Sequence, residues 1–292
     1  MTRLAASQDK ELGKYVVDTV AFPSTMVDRI VPATTDADRD TVEAALGVQD
    51  RWPVMTEDFT QWVVEDHFPA GRPDWAATFV SDVSSYETMK LRLLNGAHSC
   101  IAYLGHLSGY ETVSDAMQDA NLAAFVRNLM DIEVAPTLKL PAGADVESYK
   151  AALIKRFHNP SLRHRTWQIA MDGSQKLPQR LLGTVRDRLR VGAPIGCLAL
   201  GIAAWMRYVT GIDKKGNPID VRDPLSAELR KRADDAGLIA HRLVPALLDV
   251  ESIFGKDLPL NETFTSAVAK SLDQLIAHGA RQTLATYGKQ NA

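Results

Sequence analysis

The stretch Ser84–Gly105, SSYETMKLRLLNGAHSCIAYLG, constrains the fold more than any other part of the chain. Ser84 or Ser85 offers an N-cap, Glu87 can close a capping box with the former, and Gly105 or Gly109 can end the run, so the spacing predicts a helix. Met89, Leu91, Leu93, Leu94, Ala97, Ile101 and Leu104 leave this helix no broad wet face. It must therefore be largely buried, with other elements packed around it.

Three polar side chains interrupt the apolar surface: Lys90, Asn95 and His98, spaced K-x4-N-x2-H. At ~100° per residue, His98 lies ~80° and Asn95 ~140° around the axis from Lys90, so the three share one side. A charged lysine in such a helix is costly, and desolvation favours the neutral amine that a general base requires. The structural alternative is that Lys90 snorkels outward while Asn95 and His98 satisfy each other.

The rest of the chain is consistent with a helical protein. Met1–Thr19 has the pattern of a charged amphipathic helix, with no strand before it and no glycine-rich turn inside it. Pro23 and Pro32 then bracket a β-prone core, Met26–Val31, in which Asp28 and Arg29 are either edge-strand gatekeepers or contacts to a polar ligand. Residues 36–46 read as a helix, and 59–65 and 78–80 as strands. From residue 84 onward the chain is almost wholly helical, with segments predicted at 111–117, 119–135, 145–157, 161–170, 178–191, 195–209, 226–237, 239–247 and 262–280.

Charge excludes some functions and localises another. The net charge of −3 gives no reason to propose nucleic acid or an anionic membrane as a partner. No apolar run reaches about 18 residues, and the isolated Cys100 and Cys197 form neither a metal cluster nor a disulfide framework, so a cytoplasmic protein is expected. Residues 155–190 nevertheless hold nine Lys/Arg against Asp172 and Asp187, a local excess of 9 − 2 = +7. There Asp172-Gly173-Ser174 reads as a turn and Pro178 as the first residue of a helix, which puts Lys176 just ahead of a helix N-terminus where an anion such as a carboxylate binds. A solvated basic face is the alternative.

Three blocks in the right order, AFPSTMVDRIVPATT, the K-x4-N-x2-H helix, and RF-x-NP followed by DGSQK, resemble the polyol-specific long-chain dehydrogenase/reductase family, which includes mannitol 2-dehydrogenase and fructuronate reductase. The resemblance runs from about residue 20 to at least residue 210. It implies a mainly α fold, with a multi-helical C-terminal domain of 6-phosphogluconate-dehydrogenase-like type. It further implies metal-independent hydride transfer between the substrate carbon and the nicotinamide of NAD(H), with Lys90 as general base/acid, Asn95 on the reacting oxygen and His98 on a neighbouring hydroxyl. Asp28, Arg29, Gln168 and Lys176 fall at or beside positions touching the substrate. Gln168 departs from the arginine that mannitol dehydrogenases carry eight residues before the lysine of the DGSxK block, and WQIAMDGSQKLPQR looks more like the fructuronate-reductase branch. A sugar acid is thereby favoured over a neutral polyol.

No G-x-G-x-x-G occurs in the chain. The expectation is therefore a protein with a few short strands near its N-terminus and no complete Rossmann domain. Residues 1–20 would be a remnant or linker of the NAD domain, and 21–292 the catalytic helical domain. Such a truncated chain would be inactive alone, taking NAD mainly through an absent N-terminal domain that is made separately if at all. A mannitol- or arabinitol-type polyol 2-dehydrogenase and a non-catalytic helical interaction module are the competing functions.

Overall fold

Residues 1–141 and 143–290 are described by the computed structural model, in two units. The first unit comprises Met1–Val31 and Thr56–Thr88. The helix expected over 1–19 is two helices, α1 (Thr2–Gln8) and α2 (Lys10–Asp18). Asp9 separates them in an extended conformation and caps α2 by accepting the Leu12 N–H at 2.9 Å. Strands β1 (Thr25–Asp28), β2 (Gln61–Glu65) and β3 (Thr78–Val80) follow, in sheet order β1-β2-β3. β1 pairs antiparallel with β2, Val27 opposite Trp62, whereas β3 runs parallel to β2, Val64 opposite Phe79. Met26, Val63 and Val83 form the unit's core, with Val80 and Tyr86 packed against it.

Period-two alternation along β1 decides the fate of its charged pair. Met26 and Asp28 point inward and Val27 outward, so Asp28 is fully buried at an edge strand. Arg29 is exposed, and its guanidinium straps the Thr56–Glu57 loop, reaching Thr56 Oγ1 at 2.8 Å and the Glu57 carbonyl at 2.8 Å.

The second unit comprises Pro32–Met55 and Met89–Ala292. It opens with α3 (Asp36–Leu46), held by a Thr35/Asp38 capping box and ended by Gly47 at φ 72°. α4 (Ser84–Met89) carries the chain across from the first unit. Its expected serine cap is reversed: the Asp82 carboxylate accepts both the N–H and the hydroxyl of Ser84. A π-helical turn, Lys90–Asn95, comes next, and then α5 (Gly96–Leu107), buried from Gly96 to Gly105.

Further helices follow: α6 (Val113–Gln118), α7 (Ala120–Asn128), α8 (Val146–Phe157), α9 (Thr166–Ala170), α10 (Gly173–Leu177), α11 (Gly183–Arg190) and α12 (Gly196–Val209). α13 (Ser226–Ala236), α14 (Ala240–Leu248), α15 (Glu251–Phe254), α16 (Glu262–His278) and α17 (Ala280–Gln290) complete the unit. α5 packs on α9 and α12, and α12 packs in turn on α16. The N-terminus of α12 is sealed by Glu133, whose buried carboxylate accepts the N–H groups of Cys197 at 2.7 Å and Leu198 at 2.9 Å. No helix among the described residues is long and apolar enough to cross a membrane.

Candidate active site

The π-helical turn changes the geometry predicted for the three polar residues. In a regular α-helix Lys90 and Asn95 would diverge by ~140°. An i→i+5 turn over Lys90–Asn95 winds more slowly, so residues five apart come closer together on one face of the helix. Lys90 and Asn95 are both half-buried, and His98 lies buried one turn further on. The second unit therefore brings these three together on one face of a single helical run.

His98 is surrounded by groups that keep it neutral. Its ring is 4.6 Å from Phe157 and 5.3 Å, edge-on, from His164. Burial first, and then repulsion from His164, Arg180 and Arg156, holds its pKa well below the ordinary histidine value. A neutral imidazole can both donate to and accept from a sugar hydroxyl. His164 is pushed down to about 4 by burial and by the charge of Lys176. Its Nδ1 is shut off from solvent without a hydrogen-bond partner. Arg180 donates to Ser99 Oγ at 3.2 Å.

Lys176 is not ahead of a helix N-terminus, as the position of Pro178 suggested. Asp172 takes a left-handed conformation, φ 56°, and the helical run starts at once with Gly173; Pro178 opens another π-helical turn, Pro178–Leu182, inside it. The N-terminus of α10 already holds an anion, because the Asp223 carboxylate accepts the Ser174 N–H at 2.8 Å and its hydroxyl at 2.6 Å. Lys176 sits in the last turn instead, with Nζ donating to the carbonyls of Met171 at 2.5 Å and Ile169 at 3.3 Å. Burial, followed by the charge of Arg180, lowers its pKa, while Asp172 and Asp223 oppose the shift. Gln168 lies half-buried on α9, the helix that packs on α5. Asp28 and Arg29 belong to the first unit, as described above.

The basic stretch thus divides into two sets. Arg186 pairs with Asp257, Arg190 with Asp187, Arg165 with Glu111, and Arg188 caps the Pro194 carbonyl. Those are structural. Arg156, Arg180 and His164 face His98 or Lys176, and sequence reasoning did not single them out. Their signal was present in RHR and in the K-x3-R spacing of Lys176 and Arg180, but nothing in the sequence separated them from the paired arginines. Among the described residues no group of three or more His, Cys, Asp or Glu is arranged to hold a metal ion. A cavity of about 720 Å³, lined by Pro245, Leu248 and Leu260 among others, contains none of the predicted site residues.

One buried helical run thus carries a lysine and an asparagine beside a histidine held neutral. Residues 82–276 match the mannitol dehydrogenase C-terminal domain model and residues 2–77 the mannitol dehydrogenase Rossmann domain model. The chain belongs to the mannitol dehydrogenase family. It is 51% identical over 286 residues to D-mannonate oxidoreductase of Escherichia coli, covering 97% of this chain and 58% of that protein. It is 36% identical over 289 residues to mannitol 2-dehydrogenase of Phaeosphaeria nodorum, covering 97% and 50% respectively. The solved Pseudomonas fluorescens mannitol 2-dehydrogenase, in a ternary complex with NAD and D-mannitol, superposes with a TM-score of 0.89 at 35% identity, over 99% of this chain and 58% of that one. The chain thus spans less than three-fifths of the length of these relatives.

The Rossmann match corrects the expected fold class. Rossmann-domain sequence is present and extends to residue 77, well beyond a remnant at 1–20. It escaped notice because it carries no glycine fingerprint and its strands are short, with charges at Asp28 and Glu65. The parallel β2–β3 pair was equally invisible. The inactivity and the separately made NAD domain inferred from that absence lose their support. The first unit's strand-to-helix turn, from β3 to α4, has no glycine, and Asp82 already occupies the helix start. This turn does not fit a pyrophosphate.

Proposed function

We propose that the chain is an NAD-dependent oxidoreductase that interconverts a sugar acid and its keto form, D-mannonate and fructuronate. The observation that carries this reading is the alignment of Lys90 with Asn95 in the π-helical turn. It is supported by 51% identity to D-mannonate oxidoreductase. NAD supplies the hydride acceptor when bound. In the oxidation direction Lys90 accepts the proton of the substrate hydroxyl, and in reduction it returns that proton to the carbonyl oxygen. Asn95 donates to the same oxygen and stabilises the charge that develops there. His98 orients the neighbouring hydroxyl. Gln168 and Lys176 bind the rest of the substrate.

A polyol 2-dehydrogenase is the second reading, favoured by likeness to the structure that holds D-mannitol. Turnover of fructuronate and of fructose with NADH separates the two. A higher kcat/KM for fructuronate is expected, and a preference for fructose refutes the sugar-acid assignment.

A further inference from the structure

A cationic cluster in the second unit lacks a counter-anion. Arg180 is largely withdrawn from solvent, yet its hydrogen bond goes to the neutral Ser99 hydroxyl, and it joins no ion pair among the described residues. Lys176, four residues earlier, spends its hydrogen bonds on carbonyl oxygens, and Asp172 approaches it only to 4.0 Å. Asp223, the other acid acting on Lys176, is committed to Ser174 and to the Leu225 N–H. The Nδ1 of His164 has no partner at all, although buried polar atoms are nearly always paired. These groups repel one another: the charge of Lys176 acts on His164, and that of Arg180 on Lys176 and His98.

Clustered like charges with an unsatisfied donor are tolerated where a ligand completes them. We propose that Arg180, His164 and Lys176 form the seat of the substrate's carboxylate and so select sugar acids over neutral polyols. This rests on the functional reading above and adds its specificity determinants. A carboxylate accepts two parallel N–H bonds from a guanidinium, a geometry that a polyol hydroxyl cannot match. It supplies an acceptor for an N–H at the unpartnered Nδ1 of neutral His164, and the missing negative charge for Lys176. The seat also lies where the substrate requires it. His98, which holds a mid-chain hydroxyl in that reading, has His164 beside it at 5.3 Å, and fructuronate carries its ketone and its carboxylate towards opposite ends.

Calorimetric titration of the whole chain with D-mannonate and with D-mannitol tests this. The wild type should bind mannonate more tightly, with a dissociation constant that rises with salt, while that for mannitol does not. Arg180→Gln should reduce the mannonate-to-mannitol affinity ratio by about tenfold or more, and Arg180→Lys should restore part of it. His164→Asn should lower the ratio by a smaller factor. If Arg180→Gln weakens both ligands equally, or neither, the proposal is overturned while the sugar-acid reading stands. If Arg180→Gln does not fold, the wild-type salt dependence decides, and a mannonate affinity insensitive to salt overturns it. A wild type that binds mannitol more tightly, or binds neither ligand, overturns both.

Discussion

Two glycines allow the packing behind the candidate site to be tested with a matched pair of substitutions. Gly96 (φ −63°, ψ −51°) and Gly183 (φ −60°, ψ −45°) have the same helical backbone, so replacing either by alanine gains the same propensity, about 0.8–1.0 kcal/mol. Only their surroundings differ. A Cβ on Gly96 would lie 2.9 Å from the Arg180 carbonyl oxygen, a backbone atom that cannot rotate away. A Cβ on Gly183 would meet its nearest neighbour, the flexible end of Arg92, at 3.6 Å. Unstrained contacts between such atoms sit near ~3.5 Å, so Gly96→Ala is short by more than half an ångström against an immobile partner. Overpacking of this kind costs about 1–3 kcal/mol.

Gly183→Ala should therefore raise the urea midpoint, and Gly96→Ala should lower it, with a separation of about 2 kcal/mol between the variants. The same change should depress catalysis, because Gly96 is where the turn bearing Lys90 and Asn95 packs on the turn bearing Arg180. Equal stability of the two variants would falsify the claim that close approach, and not helix propensity, dictates a glycine at 96.

Three other outcomes are expected. Lys90→Ala should lower kcat about 10²–10⁴-fold in steady-state assays, and a loss below about tenfold would remove Lys90 from the role of base. Glu133→Ala leaves two buried N–H groups of α12 without an acceptor and should cost about 3 kcal/mol in chemical unfolding, while Glu133→Gln, which keeps one acceptor, should cost less. His164 titrates at about 4 in the fold against ~6.5 when unfolded, and His98 is shifted in the same direction, so the stability they contribute is complete above pH ~6.5 and is lost as pH falls towards 4. Unfolding midpoints measured from pH 7 to 4.5 should fall less steeply for His164→Gln than for the wild type.

Elements specified by local chemistry were legible in the sequence. α3 runs over 36–46 because Thr35 and Asp38 form a capping box and Gly47 ends it, and β3 occupies 78–80 as read. Lys90, Asn95 and His98 stood out as polar interruptions of an apolar helix, but their spacing alone did not separate a site from a satisfied polar cluster. The features that were missed depend on register or on distant partners. A π-helical turn leaves no trace in a 3.6-residue apolar pattern, so the sequence placed Asn95 well around the helix from Lys90. Asp82 displaces Ser84 as the cap of α4, and Asp223, 49 residues from Ser174, fills the helix start that Lys176 was expected to flank. The glycine fingerprint was a poor guide to the first unit, whose Rossmann identity rests on other residues.

Asp223 also bears on how the second unit can bind an anion. Helix N-termini are its obvious candidates, since they offer free N–H groups and a favourable dipole at no cost in side-chain order. At α10 that capacity is taken by Asp223, and at α12 by Glu133. Both termini beside α5 are thus neutralised by the chain's own carboxylates. What remains is side-chain charge, that of Arg180 and Arg156 acting on His98 and that of Lys176 on His164. A dipole site accepts many anions, whereas a guanidinium fork discriminates by the planar, two-oxygen shape of its ligand. On the proposed assignment, capping the helices internally concentrates recognition in side chains able to tell a sugar acid from a polyol. It also confines selectivity to a few side chains, so that changing Arg180 should move substrate preference further than changing any helix terminus.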